Sequence, residues 1–239
     1  MKKILLAVLL GFLAGSVFAT GNFGNFPDNV NEDNIKYFAK DMGGLLGAGT
    51  FTTGRVLGWG GFQVGPHASM WFRPSGKNTA LGPDAGAQVL PWMQAGIGFP
   101  WRIDGFIRAG SMDGFTAAGG GFRWGILRPV QTEWAFQTML VAAADAGVAN
   151  AFSVAHYGAS VVMSMTMKYF TPYVSAGVDN TTVTVKDVRS ALDGTSQNVW
   201  TPRGLVGVDY KLPSYLDVTL AGNWAHYGPG AEASLTLRF

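Results

Sequence analysis

The stretch that decides the fold is the carboxyl end of the chain, Ala231-Glu232-Ala233-Ser234-Leu235-Thr236-Leu237-Arg238-Phe239. Apolar and polar residues alternate along it without interruption. Strict alternation is typical of a β-strand that presents one apolar and one polar face. The tail therefore predicts a final strand with its apolar face toward one environment and its polar face toward another.

The same alternation recurs upstream of the tail. Most of the segments are close to the about 9–11 residues of a tilted membrane-spanning strand. They predict an all-β fold, a transmembrane antiparallel barrel of about ten strands, with twelve as the alternative. The ten segments are Phe62–Arg73, Ala87–Gly98, Arg102–Gly110, Phe115–Ile126, Thr132–Ala143, Phe152–Met165, Tyr169–Asn180, Trp200–Lys211, Tyr215–His226 and Gly230–Phe239.

Two further features of the pattern concern connections. Residues Thr50–Leu57 also alternate, but an eleventh strand would break the even number that bacterial barrels keep. We interpret them as an extended approach segment, paired locally or lying in the lumen. The turns alternate between short ones, mostly with Pro, and longer polar ones, of which Thr181–Val199 is the longest. Short turns are typical of the periplasmic side, which places the start of the first strand in the periplasm.

The amino terminus predicts export. Lys2 and Lys3 are followed by the apolar run Ile4–Leu13 and by a small residue, Ala19. This is the pattern of a secretory signal peptide, here residues 1–19. Residues 20–49 then form an amino-terminal segment, and residues 50–239 form the barrel. The chain has no cysteine, so disulfides are excluded.

The composition excludes several classes of protein. Charged residues make up 13% of the chain, whereas about 25% is usual for a soluble protein. Much of the surface is therefore expected to face something other than water. No uninterrupted apolar run after the signal peptide is long enough for a spanning helix. The net charge of +2 is too small to favour nucleic acid as a partner.

The tail ending at Phe239 resembles the carboxy-terminal signature of bacterial outer-membrane β-barrels, and the chain as a whole resembles a small porin-like barrel. The resemblance implies a location in the outer membrane of a Gram-negative cell. It also implies two partners. One is the outer-membrane lipid, and the other is the barrel-assembly machinery, which reads the last strand.

The two faces assign candidate site residues. An Arg or Lys facing lipid at the midplane would cost about 2–4 kcal/mol, so the charged face is expected to line the lumen. The lumen-lining candidates are Arg73, Arg102, Asp104, Arg108, Arg123, Glu133, Arg203, Asp209, Asp217, Glu232 and Arg238. Aromatic residues near the ends of the apolar face predict membrane girdles. These are Phe62, Phe72, Trp124, Trp134, Tyr210, Trp224 and Phe239.

The amino-terminal segment contains an amphipathic helix. Apolar residues follow helical spacing from Val30 to Leu46, with Asn31 as the candidate cap. Gly43 and Gly44 are expected to end or loosen it. The helix is predicted either to plug the periplasmic mouth of the barrel or to lie on its rim.

These features predict a porin-like channel or a transporter for small solutes or a hydrophobic ligand. A structural anchor or adhesion barrel without a conducting pore is the first alternative. A barrel hydrolase is the second, because His67 and His156 fall near Ser69 and Ser160, and His226 falls at a rim. None of the three has a recognisable catalytic spacing, so no catalytic residue is assigned. Neither a metal site nor a cofactor is expected.

Overall fold

The computed structural model describes residues 23–72, 75–82, 85–128, 132–188, 191–213, 215–225 and 228–239. The predicted signal peptide, the lumen candidate Arg73 and the rim candidate His226 lie outside these ranges. Within the described ranges, no helix is both long enough and apolar enough to cross a membrane.

Ten antiparallel strands form one closed barrel, in which each strand pairs with its neighbours in chain order. The predicted ten strands are confirmed, and the alternative of twelve is wrong. The strands are β1 (Phe62–Trp71), β2 (Gln88–Phe99), β3 (Ile103–Met112), β4 (Phe115–Gly125), β5 (Ala135–Val148), β6 (Phe152–Thr166), β7 (Phe170–Val185), β8 (Ser196–Leu212), β9 (Leu216–Ala225) and β10 (Gly228–Arg238).

The barrel closes where β1 meets β10. The amide of Phe62 donates to the carbonyl of Phe239 (3.0 Å), and the amide of Phe239 donates back to Phe62 (2.8 Å). The pairing continues from Gln63 opposite Arg238 to Trp71 opposite Gly230. We call the end with Phe62 and Phe239 the terminal end, and the opposite end, where β1 finishes, the loop end.

Local sequence explains one of the loop-end turns. Asp113 and Gly114 connect β3 to β4 and both have positive φ angles, 45° and 75°. A two-residue hairpin turn with positive φ at both positions matches the twist of the flanking strands, and Asp-Gly is a preferred pair for it.

Strands β7 and β8 are longer than predicted, so the prediction of a loop over Thr181–Val199 is wrong. The outward side chains there are polar and hydrogen-bond to one another: Asn180 Nδ2 to Asn198 Oδ1 (3.0 Å), and the hydroxyls of Thr184 and Ser196 (2.8 Å). The apolar face ends near this level, but the backbone pairing continues beyond it. The alternation of apolar and polar residues indicates how far the lipid-facing surface extends, but it does not indicate where the paired strands end.

The amino-terminal segment lies inside the barrel. Two short helical turns (Phe23–Asn25 and Phe26–Asn29) precede a helix at Ile35–Gly47, which we call the inner helix. Ten of its thirteen residues are buried, and it packs on β1, β2, β6, β7 and β8. Residues 48–61 then run to the terminal end through turns and bends, without helix or strand, and the buried stretch 51–54 shows that they pass through the interior. We call residues 48–57 the extended segment, because they span the distance between the inner helix and the terminal end.

The predictions for the inner helix need two corrections. It begins at Ile35, because Asn31 instead organises the preceding turn by accepting from the amide of Asn34 (2.9 Å). It continues through Gly43 and Gly44, which face the wall residues Thr181 and Trp71 too closely for a side chain. It also lies at the loop end, because its apolar stripe packs against residues at that end of the strands. With the start of β1 predicted in the periplasm, this is the end opposite to the periplasmic mouth; the sequence had predicted a helix that either plugs that mouth or lies on the rim.

Candidate functional site

The carboxyl end of the inner helix is held by Arg108, on β3. Its guanidinium donates to the carbonyls of Leu46 and Ala48, the latter at 2.6 Å. It also makes two bonds to Asp145 on β5, Nε to Oδ1 (2.8 Å) and Nη2 to Oδ2 (2.7 Å). Both side chains are fully buried. A cation at a helix carboxyl end meets the unpaired carbonyls and the negative end of the dipole.

A second buried ion pair lies against the last residue of the helix. Arg203 Nε is 3.4 Å from Asp179 Oδ2, and His156 Nδ1 lies 3.0 Å from the hydroxyl of Thr181. A Cβ on Gly47 would fall 2.7 Å from Asp179 Oδ2 and closer still to Arg203. Only glycine lets the helix approach this pair.

The extended segment, which follows the inner helix toward the terminal end, is held through its backbone. An extended chain inside a barrel has no strand partner, and its buried amides and carbonyls must be satisfied by other groups. Here wall side chains supply them. The contacts, each from donor to acceptor, are Gly49 N to Glu232 Oε2 (2.8 Å), Gly54 N to Ser164 Oγ (3.1 Å), Leu57 N to Asp104 Oδ2 (2.7 Å), Arg123 Nε to Thr50 O (2.9 Å) and Arg238 Nη2 to Arg55 O (3.3 Å).

Two apolar clusters fill the remaining interior. The upper one, at the loop end, centres on Phe152, whose ring lies 4.8 Å from that of Phe26 and 4.9 Å from that of Phe38. The lower one contains Phe51 and Val56 from the extended segment, packed among Phe106, Met139, Val141, Val162, Tyr173, Leu205 and Ala221 of the wall. Among the described residues, the interior cavity beside Phe51 measures about 10 Å³, which is about the size of one water molecule.

A loop covers the inner helix at the loop end. Asp41 of the helix accepts from the amide of Ser75 (3.0 Å) and from Asn78 Nδ2 (2.6 Å). Asn34 Nδ2 donates to the hydroxyl of Thr79 (3.0 Å). Ala80 and Leu81 are buried in the upper cluster. Residues 75–82 therefore cover the inner helix at the loop end, and we call them the lid.

The lid gives a pH-dependent prediction. Burial raises the pKa of Asp41 from 3.8 to about 6, against hydrogen bonds from Asn78 and Ser75 that lower it. Folding favours the protonated acid, so its contribution to stability is greatest below pH 4 and is lost as the pH rises through 6. Between pH 4 and pH 7, the contribution of Asp41 to the free energy of unfolding changes by at most about 3 kcal/mol. We expect Asp41→Asn to flatten this part of the curve of unfolding free energy against pH. An unchanged curve between pH 4 and 7 would contradict the prediction.

The structure places most of the lumen candidates inside the barrel. Asp104, Arg108, Arg123, Arg203, Asp209, Asp217, Glu232 and Arg238 all point inward. Two candidates do not lie on a strand. Arg102 lies in the turn before β3, where its Nη1 donates to the carbonyl of Ile126 (2.5 Å). Glu133 is exposed in the turn before β5, because that strand begins only at Ala135.

Three acidic residues of the interior were missed. Asp145 was expected in a loop, because the alanines around it carry too weak an apolar signal to extend β5. Asp179 stands beside the polar residue Asn180 at the predicted end of its strand, which hid its place on the inner face. Asp41 was overlooked because its partners, Ser75 and Asn78, lie more than thirty positions away.

The aromatic candidates all lie on the outer surface. Phe62, Trp124, Trp134, Tyr210 and Phe239 lie toward the terminal end, and Phe72 and Trp224 lie toward the loop end. Their exposed fractions run from 41% for Phe62 to 67% for Trp134. Aromatic side chains at the two levels where a membrane meets water are typical of transmembrane barrels.

The described histidines are unsuited to catalysis on an outside substrate. His67 and His156 are 2% and 0% exposed. Among the residues that the structure describes, no group of three His, Cys, Asp or Glu side chains could hold a metal ion.

No protein-family model matches this chain, and no curated protein matches it. Several solved barrels are similar in fold. Neisserial surface protein A is 14% identical, with a TM-score of 0.33, over 75% of this chain and 97% of that one. OprG from Pseudomonas aeruginosa is 11% identical, with a TM-score of 0.37, over 78% and 99%. The amino-terminal barrel of OprF from the same organism is 12% identical, with a TM-score of 0.35, over 76% and 99%.

Likenesses this distant concern the fold alone, so the class of protein rests on the chain's own features. A closed ten-strand antiparallel sheet with an apolar outside, aromatic residues at both outer levels and charges inside defines a transmembrane β-barrel of the bacterial outer-membrane type. In this barrel, the inner helix and the extended segment after it occupy the interior.

Proposed function

We propose that this protein is an outer-membrane barrel that is closed at rest by residues 23–57, and that small solutes pass its lumen when this plug is displaced. The observation that carries the proposal is the way the plug is held. Five wall side chains, from four different strands, bind the backbone of the extended segment. Four of these side chains, and Arg108 above them, are ionisable.

The chemistry of these contacts favours a plug that moves. Buried ions carry a desolvation cost that a well-packed apolar interior avoids. Ionic groups around the plug therefore hold it less tightly than apolar groups of the same size would. If the plug withdrew, the same Arg, Asp and Glu side chains would be hydrated and would line an aqueous lumen.

We expect Gly47→Leu to open the channel. The leucine has no room beside Asp179 and Arg203, and overpacking of this kind costs about 1–3 kcal/mol. A bias of that size shifts the balance between closed and open states about 5- to 150-fold. Single-channel recording in planar bilayers should therefore show longer or more frequent openings than in the parent protein. Gly24→Leu is the matched control, because a Cβ at Gly24 meets nothing within 4 Å.

A disulfide can test whether the openings come from the plug. A Cβ on Gly43 would lie 3.4 Å from the Cβ of Thr181, close to the about 3.5–4.5 Å of natural disulfides. Since the chain has no cysteine, Gly43→Cys with Thr181→Cys introduces one defined pair. The second substitution also removes the Thr181 hydroxyl, which a Cβ on Gly43 would otherwise meet at 2.5 Å. Added to Gly47→Leu, the oxidised pair should silence the channel, and a reductant should restore it. Thr181→Cys alone should have no such effect.

The apolar upper cluster and the lid favour the second candidate, a structural anchor without a conducting pore. Folded protein that never conducts, with or without Gly47→Leu, would overturn the channel and support the anchor. Openings that persist in the oxidised lock would show a path that bypasses the plug. A hydrolase is disfavoured, because the described histidines are buried.

A further inference from the structure

The amino-terminal segment crosses the barrel from one end to the other. It starts at the loop end, where the amide of Phe23 donates to Asp113 Oδ2 in the β3–β4 turn (3.4 Å). The ring of Phe23 lies 5.6 Å from that of Phe115, the first residue of β4. The chain then descends through the inner helix and the extended segment. It leaves at the terminal end, where Gly60 N donates to the carbonyl of Gly98 (3.2 Å).

We infer that the first described turn of the plug, Phe23–Asn25, which lies at the loop end, is displayed on the outer surface of the cell. The inference rests on the proposed function, an outer-membrane barrel, and on the predicted orientation, in which the start of β1 and therefore the terminal end face the periplasm and the loop end faces outside. In that orientation the chain passes from the surface inward and only then enters β1.

Contacts at the loop end hold this arrangement. Phe23 and Phe26 are 4% and 0% exposed and pack within the upper cluster. Entry from the terminal end would place these side chains beside the charged wall residues around Arg238 and Asp217 instead. Gly24, between them, is exposed. The loop end thus buries the two aromatic residues and leaves the backbone between them open to the outside.

Single cysteines test this in intact cells, because the chain has none of its own. Gly24→Cys reports the amino-terminal segment, and its side chain has open space. Asp193→Cys reports the β7–β8 loop, and Lys168→Cys the β6–β7 turn at the terminal end; both positions are exposed. The probe is a maleimide on a polyethylene glycol chain too large to cross the outer membrane. Each variant is labelled before and after permeabilisation.

We expect Gly24→Cys and Asp193→Cys to be labelled in intact cells, and Lys168→Cys only after permeabilisation. Labelling of Asp193→Cys but not Gly24→Cys would overturn the inference. The loop end would then face outside as proposed, but the start of the plug would not be accessible there. Labelling of Lys168→Cys alone would overturn surface display through a reversed orientation. No labelling of any variant in intact cells would overturn it together with the outer-membrane location. The bilayer recordings on Gly47→Leu are independent of all three results.

Discussion

Replacing Arg108 with alanine is expected to lower the free energy of unfolding by about 3–5 kcal/mol, the usual cost of removing one partner of a buried ion pair. Asp145 would keep its charge without its bidentate partner, since both side chains are fully buried. The carbonyls of Leu46 and Ala48 would also lose their donor. Urea unfolding in detergent micelles, followed by tryptophan fluorescence, measures the change.

Two variants serve as controls for Arg108. Arg108→Ala combined with Asp145→Ala removes the stranded charge, and we expect it to recover a large part of the loss. Arg102→Ala removes an arginine from a turn, where its side chain donates to the carbonyl of Ile126, and should cost less than about 1 kcal/mol. If Arg108→Ala were no more destabilising than Arg102→Ala, the plug would not depend on the buried pair.

Phe152→Ala is the second substitution with a large expected effect. Phe152 is fully buried, and its ring meets Phe23, Phe26, Phe38 and Phe115. Truncating a buried Phe costs about 3–5 kcal/mol through lost transfer energy and the cavity left behind. Because three of its partners belong to the plug, we also expect residues 23–38 to become accessible to protease in the folded barrel.

Phe136→Ala is the matched control for Phe152. Phe136 points outward and is 54% exposed, so detergent or lipid surrounds it in the folded protein, and its loss leaves no internal cavity. A cost for Phe152→Ala equal to that for Phe136→Ala would show that the upper cluster contributes little. Protection from protease that survives Phe152→Ala would show that the plug is held by its polar contacts alone.

Particular residues show why the barrel was predictable and its contents were not. The alternation of Glu232, Ser234, Thr236 and Arg238 with apolar residues is local, and a strand places such residues on opposite faces wherever it lies. The apolar spacing of Ile35, Phe38 and Met42 likewise predicted a helix. Its location depends on Trp71, Phe152 and Val183, which are distant in the chain. The spacing within a helix contains no information about them.

The glycines and charges repeat this division. Gly43 and Gly44 predicted the end of the helix, because glycine is a poor helix former. In the structure they are the points where the helix touches Thr181 and Trp71. Charge and alternation indicated that Arg108 and Glu232 face inward. They could not indicate that these side chains bind the plug's backbone, since backbone groups leave no trace in side-chain patterns.

The sequence by itself determined that the chain forms a barrel of about ten strands, which residues face inward and outward, and that a helix precedes the strands, because each of these follows from short-range periodicity. The tertiary structure alone decided that the helix and the segment after it fill the lumen, that they enter from the loop end, and that wall charges hold them. Those outcomes depend on contacts such as Gly49 with Glu232, which are 183 residues apart. Only closure of β1 onto β10 brings such partners together.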